Sequence, residues 1–395
     1  MIVSALLTLS VLAQADKAVE VPFTVTENAI IADAVVNGRR VSCMFDTGFS
    51  GCFVLDDNIN IGKPTGAMTL RDFVGQFQAQ TVPIKSLMLG SKKVESIEDM
   101  TVVQQPGQNG SLGYNAHSVG IMGMEVMKDF VLEINVQRKC FVLHPRTYDI
   151  SKRVPDNKRT FMTKMLPKGV NSIELSVEAK NGGKMTLALD TGNSFYATTH
   201  KEVLERLGLW DAGKKPKFMG SAFVASGAVD SFNIALKEMT IFGVPTPHSV
   251  WNIIDLPSSS SDHDGTVGFG FLKNFNVIID TKRRRVWLDN FTGKTAEAPK
   301  ASIGLGAWYY ADLQRYVVTS VSPGGPADKA GIKRGDMLLG IDDDEALDVG
   351  YRGLIQKLEG DVGSTVKLTV SRRGVLQRVD LKRAYLINGM EEAVP

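Results

Sequence analysis

Most of residues 20–292 consist of short apolar runs that alternate with polar positions, and Gly, Asn, Asp and Pro separate one run from the next. Short alternating runs bounded by turn residues are typical of β-strands, so the pattern predicts a mainly β fold. One stretch differs, because Thr199 and Glu202 form a capping-box pattern and predict a helix over residues 203–208. The corresponding positions in the first half, 56–60, are rich in Asn and Asp and predict no helix.

Two segments of this chain repeat each other. The same tripeptide ends an apolar, strand-like run in each segment: Asp46-Thr47-Gly48 in the first and Asp190-Thr191-Gly192 in the second. A Gly-x-x-Gly sequence follows each copy at a matching distance, at residues 120–123 and 265–268. Internal repeats decide how a fold is interpreted, and this one indicates that a segment of roughly 145 residues has been duplicated.

The repeated motifs resemble those of the aspartic peptidases of the pepsin and retropepsin type, over about residues 20–292. The resemblance implies two similar β-barrel lobes around one cleft, with Asp46 and Asp190 meeting at the lobe interface as the catalytic pair. It also implies that Thr47 and Thr191 hydrogen-bond to the opposite lobe and support the catalytic loops. The implied activity is the hydrolysis of peptide bonds.

The chemistry of peptide hydrolysis explains why two carboxyl groups are needed. Two carboxyls about 3 Å apart cannot both ionise, so one accepts a proton from water while the other polarises the peptide carbonyl. Gly48 and Gly192 would let the backbone approach the carboxylates and donate N–H groups to them. This mechanism forms no covalent intermediate and needs no metal or other cofactor.

The residue after each Gly departs from the pepsin pattern, in which a Ser or Thr hydroxyl bonds the catalytic carboxylate. These positions hold Phe49, which has no donor, and Asn193, which offers an amide as support for its catalytic loop. Ser50 and Ser194 lie one residue further along. We therefore expect the ionised pair to lose a stabilising bond on one side and the pH optimum to be mildly acidic.

Two segments are predicted to form hairpins at the cleft. Residues 66–79 lie where the first lobe of this family places its flap, and they contain Phe73 and Phe77 but no Tyr. Residues 220–227 are the corresponding stretch of the second lobe.

A third unit follows a polar linker. Residues 317–341 resemble a bacterial-type PDZ domain, because they contain the strand, the Pro-Ala-x-x-Ala-Gly helix and the Gly-Asp turn of that family. The resemblance implies a groove helix at 351–358 and a carboxylate-binding loop made of Gly304, Leu305, Gly306 and Ala307. PDZ domains bind peptides by adding a strand to a sheet edge, so we expect this unit to recruit a C-terminal or extended segment of a substrate.

Composition and charge limit the other classes of function. The chain has 395 residues with a net charge of +2, which argues against a nucleic-acid-binding protein. Its basic run, 282–285, lies between strand-like runs and predicts a hairpin turn. His and Cys show no metal-binding spacing; Cys43 and Cys140 are expected to pack in the core, and a disulfide between Cys43 and Cys52 is not favoured.

The N-terminus predicts export. An apolar run, 2–12, precedes Ala13-Gln14-Ala15, which matches the cleavage pattern of a secretory signal. We therefore expect a periplasmic or extracellular protein, and no other stretch is long and apolar enough to predict a transmembrane helix.

The combined prediction is an exported aspartic endopeptidase that acts on peptide or protein substrates. Its predicted domains are a signal peptide (1–15), two peptidase lobes (16–150 and 151–292), a linker (293–302) and a small α+β PDZ domain (303–390). One alternative is a catalytically inactive adaptor that binds peptides through the PDZ groove, against which the intact Asp, Thr and Gly of both motifs argue. Another is an intracellular processing peptidase, which the N-terminal sequence disfavours.

Overall fold

The computed structural model describes residues 17–71, 75–105, 118–167, 172–224, 227–258, 263–310 and 313–390. This part of the chain is mainly β and folds into two similar lobes around a cleft, followed by a smaller unit of strands and helices. The fold class predicted from the alternating apolar runs and the repeated motif is therefore confirmed.

In its described residues, the first lobe consists of strands and one 3₁₀ helix, Met124–Met127. Its strands are β1 (Val19–Val25), β2 (Ile30–Val36), β3 (Arg39–Phe45), β4 (Phe53–Asp56), β5 (Gly66–Arg71), β6 (Gln76–Pro83), β7 (Leu87–Leu89), β8 (Lys92–Lys93), β9 (Thr101–Gln105), β10 (Gly120–Met122), β11 (Phe130–Asn135) and β12 (Cys140–Pro145).

The second lobe repeats this arrangement and adds two short helices, α1 (Lys201–Arg206) and α2 (Phe269–Leu272). Its strands are β13 (Thr160–Lys164), β14 (Glu174–Glu178), β15 (Lys184–Leu189), β16 (Ala197–His200), β17 (Gly220–Val224), β18 (Gly227–Ile241), β19 (Val244–Ile254), β20 (Gly265–Val267), β21 (Phe275–Asp280) and β22 (Arg285–Asn290).

The third unit has its own apolar core. It contains the helices α3 (Pro326–Lys329) and α4 (Ala346–Leu358) and the strands β23 (Ala301–Ser302), β24 (Leu305–Tyr310), β25 (Arg315–Val321), β26 (Met337–Ile341), β27 (Asp344–Glu345), β28 (Glu359–Gly360), β29 (Thr365–Arg372) and β30 (Val375–Lys382). Helix α4 starts before the predicted 351–358 and is interrupted at Gly350, which has a positive φ of 63°. Strand β24 lies at one edge of the sheet and pairs with β25.

The duplication is visible in the strand pairing around the two Asp-Thr-Gly motifs. In the first lobe β10 lies parallel to β3, with Met44 opposite Ile121, and antiparallel to β4. In the second lobe β20 lies parallel to β15, with Ala188 opposite Thr266, and antiparallel to β16. In both lobes, therefore, the strand before the Asp-Thr-Gly motif pairs with a short strand that is parallel to it and antiparallel to the next strand of the lobe.

The two lobes share one sheet beneath the cleft. Its second-lobe strands are β13, β22 and β21, and these continue into β11, β12 and β1 and then into the other strands of the first lobe. The lobes join where β11 pairs with β21, for example at Leu132 opposite Ile279. The buried apolar residues of both lobes form one continuous core, which fixes the lobes relative to each other.

The predicted hairpins form in both lobes. Strands β5 and β6 pair antiparallel across the segment predicted as a flap, and β17 pairs with β18 in the second lobe. The prediction for Phe73 falls outside the described residues. The basic run 282–285 lies at the hairpin turn between β21 and β22, as predicted, with Asp280 opposite Arg285.

The predicted helix of the second lobe forms, but its capping box does not. Helix α1 begins at Lys201, and the preceding residue, His200, makes no side-chain cap. The Thr199 hydroxyl instead donates to the Asp264 carbonyl at 2.7 Å, and the Glu202 carboxylate accepts the N–H of Ser258 at 3.0 Å. Contacts with the neighbouring loop have replaced the local bonds that the capping box would supply.

The cysteines pack in the interior. Cys43 and Cys140 are buried, as expected, and all three cysteines are free thiols, with Cys52 donating to the Glu125 carboxylate. The predicted signal peptide, 1–15, lies outside the described residues. Within the described ranges, no helix is both long and apolar enough to cross a membrane.

Candidate active site

The two catalytic candidates follow equivalent strands of the two lobes. Asp46 follows β3 and Asp190 follows β15, and each is fixed by its own N–H, which donates to the carbonyl of Met122 or Val267 at 2.9 or 3.0 Å. Both side chains are half-buried. The structure thus brings together, at the floor of the cleft, two carboxyls that are 144 residues apart in sequence.

The two threonines of the motifs tie the lobes together beneath these carboxyls. The Thr47 hydroxyl accepts the N–H of Thr191 at 3.0 Å and donates to the Leu189 carbonyl at 2.7 Å. The Thr191 hydroxyl accepts the N–H of Thr47 at 3.1 Å and donates to the Phe45 carbonyl at 2.7 Å. Because both threonines are buried, these four bonds hold the two motifs in register.

The glycines of the motifs leave room for the opposite carboxyl. A Cβ atom at Gly48 would lie 2.7 Å from Asp190 Cγ, and one at Gly192 would lie 2.5 Å from Asp46 Cγ. Each glycine also donates its N–H to the Asp two residues before it, at 2.7 and 2.9 Å. Only glycine therefore fits at either position while the two carboxyls remain in contact.

The hydrogen bonds around the two carboxyls are asymmetric. Asp46 accepts the N–H groups of Gly48 and Phe49, and Asp190 accepts the equivalent groups of Gly192 and Asn193. Asp190 has one further interaction, with the hydroxyl of Thr266, which lowers its pKa. The position equivalent to Thr266 in the first lobe is Ile121, which has no donor.

The Asn193 side chain holds this hydroxyl in place. Its Nδ2 donates to the oxygens of Thr266 and Thr198, at 2.8 and 3.0 Å. Since the Thr266 oxygen accepts from Asn193, its own proton is directed to Asp190. Asn193 thus contacts Asp190 through its backbone N–H and contacts Thr266 through its side-chain amide.

The two carboxyls differ in the groups that shift their pKa values. Burial raises the pKa of Asp46 well above its usual range, and the neighbouring charge of Asp190 raises it further. Burial also raises the pKa of Asp190, but bonds from Asp46, the Asn193 and Gly192 N–H groups and Thr266 oppose this rise. The two carboxyls share a proton, and the additional donors around Asp190 favour the charged form of Asp190 over that of Asp46.

Asp46 and Asp190 lie in a cleft of about 1090 Å³, which residues of both lobes and of the third unit line. Leu70 and Arg71 of the first-lobe hairpin line it, and so do Ser221 and Ala222 of the second-lobe hairpin. The predicted carboxylate-binding loop of the third unit, Gly304, Leu305, Gly306 and Ala307, lines the same cleft. Among the residues that the structure describes, no cluster of three or more His, Cys, Asp or Glu side chains could hold a metal ion.

Thr266 was not predicted from the sequence to be a site residue. A sequence signal existed, because the Gly-x-x-Gly segments differ at this position and Thr replaces an apolar residue next to the cleft. Its contact with Asn193 joins residues 73 positions apart, so only the paired strands β15 and β20 reveal it. Ser50 and Ser194, which follow the motifs, are exposed.

Comparison with known proteins identifies the third unit. The profile of the PDZ domain family matches residues 317–372, and we refer to this unit as the PDZ domain. A solved structure similar to the chain is the aspartic proteinase from Irpex lacteus, with 14% identity and a TM-score of 0.42 over 71% of this chain and 99% of that one. A photosystem II D1 C-terminal processing protease matches with 26% identity and a TM-score of 0.22 over 23% of this chain, and the match spans 25% of that protein. None of the curated proteins matches the sequence.

Proposed function

We propose that this protein is an aspartic-type endopeptidase that hydrolyses peptide bonds with a water molecule activated between Asp46 and Asp190. The observation that carries the proposal is the pair of carboxyls, hydrogen-bonded to each other at the floor of a cleft between two duplicated lobes. A carboxyl pair that shares one proton supplies a base and an acid at the same place, which hydrolysis of an unactivated amide requires.

The asymmetry of the site supports one division of the two roles. Asp190 accepts a proton from the water molecule as the water oxygen attacks the peptide carbonyl carbon, and Asp46 donates its proton to the carbonyl oxygen. The tetrahedral diol then collapses: Asp190 gives its proton to the leaving nitrogen, the C–N bond breaks, and one diol hydroxyl returns a proton to Asp46. The pair is left with one proton on Asp46, as at the start.

The rest of the cleft positions an extended peptide. The hairpin of β5 and β6 and the hairpin of β17 and β18 both contribute side chains to it. The PDZ domain supports a further proposal, that the protein recognises peptide or protein substrates through that domain as well as through the lobes. From the N-terminal sequence we also propose that residues 1–15 direct export to the periplasm or the extracellular space. N-terminal sequencing of the mature protein tests that proposal.

The function is tested with a library of peptides from a digested proteome, followed by mass spectrometry of the products. The wild-type protein should cleave the library, a pepstatin-type transition-state mimic should inhibit it, and chelators should not. Asp46→Asn and Asp190→Asn serve as matched controls, and both should leave the library intact while remaining folded. Cleavage that persists in either variant would exclude the two-carboxyl mechanism, and a folded wild type that cleaves no peptide would favour the adaptor.

A further inference from the structure

The PDZ domain is attached to the second lobe by the segment that follows its last strand. Ser302 and Ala384 exchange two backbone hydrogen bonds of 2.9 Å, which join the start of the domain to this segment. Further along, the buried Asn388 donates its N–H to the Asn233 carbonyl at 2.8 Å. Its side chain donates to the Phe218 carbonyl at 3.1 Å and accepts the N–H of Phe218 at 3.3 Å. The segment therefore binds the second lobe at β18 and at the residues just before β17.

Contacts on the other side fix the domain to the first lobe and to the residues predicted as a linker. Gln356 of α4 donates to the carboxylate of Glu27 in the first lobe, at 3.3 Å. The Lys300 ammonium lies 3.9 Å from the same carboxylate. The Tyr196 hydroxyl of the second lobe donates to the Thr295 carbonyl. The domain thus bridges both lobes at one end of the cleft and is not suspended on a free tether, as simple recruitment would require.

The space between the PDZ domain and the lobes is continuous with the space above the dyad. Leu305 and Trp308 of β24 and Ile355 of α4 line the same cleft as Asp46 and Asp190. Strand β17 of the second-lobe hairpin also packs against β24 and β25. The side chains that β24 and α4 contribute at this end are mainly apolar, and all three named here are partly exposed to the cleft.

We infer that the PDZ domain forms a wall of the catalytic cleft, where Trp308, Leu305 and Ile355 bind an apolar side chain of the same peptide that is cleaved. The occupant is the substrate itself, because the apolar wall continues directly from the space in which the scissile bond must lie. Binding energy from such a remote side chain helps to orient the reacting bond. The inference rests on the proposed peptidase function and makes the PDZ domain a determinant of cleavage specificity on short peptides.

The test uses peptides of about ten residues, which span at most about 36 Å when extended. Once cleavage sites in the peptide library are known, matched pairs are synthesised that carry an apolar or a polar residue at each position remote from the scissile bond. For the wild type we expect one remote position at which the apolar peptide has a kcat/KM about tenfold higher. Trp308→Ala should reduce that ratio to near one. Leu376→Ala is the control, because Leu376 is 60% exposed on β30 of the same domain and lies away from the cleft.

The outcomes separate this inference from the proposed function. A wild type that cleaves none of the peptides contradicts the function itself. A wild type that cleaves them without any remote apolar preference, or a folded Trp308→Ala protein that keeps the full preference, overturns the inference alone. If Trp308→Ala does not fold, Asn388→Ala provides a second test without altering the wall, because it removes side-chain bonds that attach the domain to the second lobe. The ratio of kcat/KM between the apolar and the polar peptide should then also fall. If the PDZ domain is shown to be released and this ratio is unchanged, the inference that the domain forms a wall of the cleft is wrong.

Discussion

Replacing Thr266 with Val should shift the pH dependence of catalysis and leave the fold intact. The substitution keeps the shape of the side chain and removes the hydroxyl that donates to the Asp190 carboxylate. A hydrogen bond to a charged group contributes about 1.5–3 kcal/mol, and one pKa unit corresponds to about 1.4 kcal/mol. The pKa of the group that must be ionised for catalysis should therefore rise by about one to two units.

The direction of this shift follows from the role of the hydroxyl. The bond stabilises the charged form of Asp190, so losing it favours the protonated form and moves the acid limb of the kcat/KM profile to higher pH. Below that limb, activity should fall about 10- to 100-fold, while near the plateau it should change much less. Because Asp46 lacks a hydroxyl donor, we already expect a mildly acidic optimum in the wild type, and a maximum at about pH 2 would contradict that expectation.

The assay measures kcat/KM on one cleaved peptide at a series of pH values. Thr266→Ser keeps the hydroxyl and should retain the wild-type acid limb. Thr198→Val is the matched control, because Thr198 also accepts a bond from Asn193 but is not among the groups that donate to Asp190. An unchanged acid limb in folded Thr266→Val would refute the reasoning, since the charge of Asp190 would then not depend on this hydroxyl.

Three further predictions concern charge and domain attachment. Asp46→Asn should abolish activity and raise the melting temperature at neutral pH. The raised pKa makes the folded wild type retain a proton that the unfolded chain releases, so wild-type stability falls as pH rises above about 4, and calorimetry should find the gain largely gone below that pH. Burial raises the pKa of Glu297 to about 7, so packing of residues 293–300 should weaken as pH rises from about 4.5 through 7. Glu297→Gln should remove that dependence in amide hydrogen exchange, and an unchanged pH dependence would contradict it. Asn388→Ala should increase exchange in β17 and β18, because it removes buried side-chain bonds that contribute about 1 kcal/mol each; unchanged exchange would show that the PDZ domain is held by other contacts.

Features set by contiguous residues were predicted well from the sequence. The strands and both hairpins follow from alternating apolar runs. The two Asp-Thr-Gly motifs follow from Gly at positions where backbones approach closely. The sequence motif of the third unit was sufficient for the same reason, since its helix α3 and the turn before β26 are local structures. Local patterns therefore predicted most of the fold.

Features set by distant residues could not be predicted in this way. The capping box at Thr199 satisfies every local rule, yet its hydroxyl bonds Asp264, a partner 65 residues away. The bonds between Asn388 and Asn233 span 155 residues, and no pattern near either residue indicates them. The attachment of the PDZ domain and the bond from Thr266 to Asp190 belong to this class, and both depend on which surfaces meet after folding.

The two lobes differ in the residues that surround their carboxyls, and this difference bears on the proposed mechanism. Two identical lobes would place two equivalent carboxyls at the interface, and the shared proton would have no preferred position. Here the second lobe carries Asn193 and Thr266 where the first carries Phe49 and Ile121, so Asp190 alone gains a hydroxyl donor. The same lobe contains the residues to which Asn388 hydrogen-bonds. Residues of one lobe therefore both make the surroundings of the two carboxyls unequal and attach the PDZ domain next to the cleft.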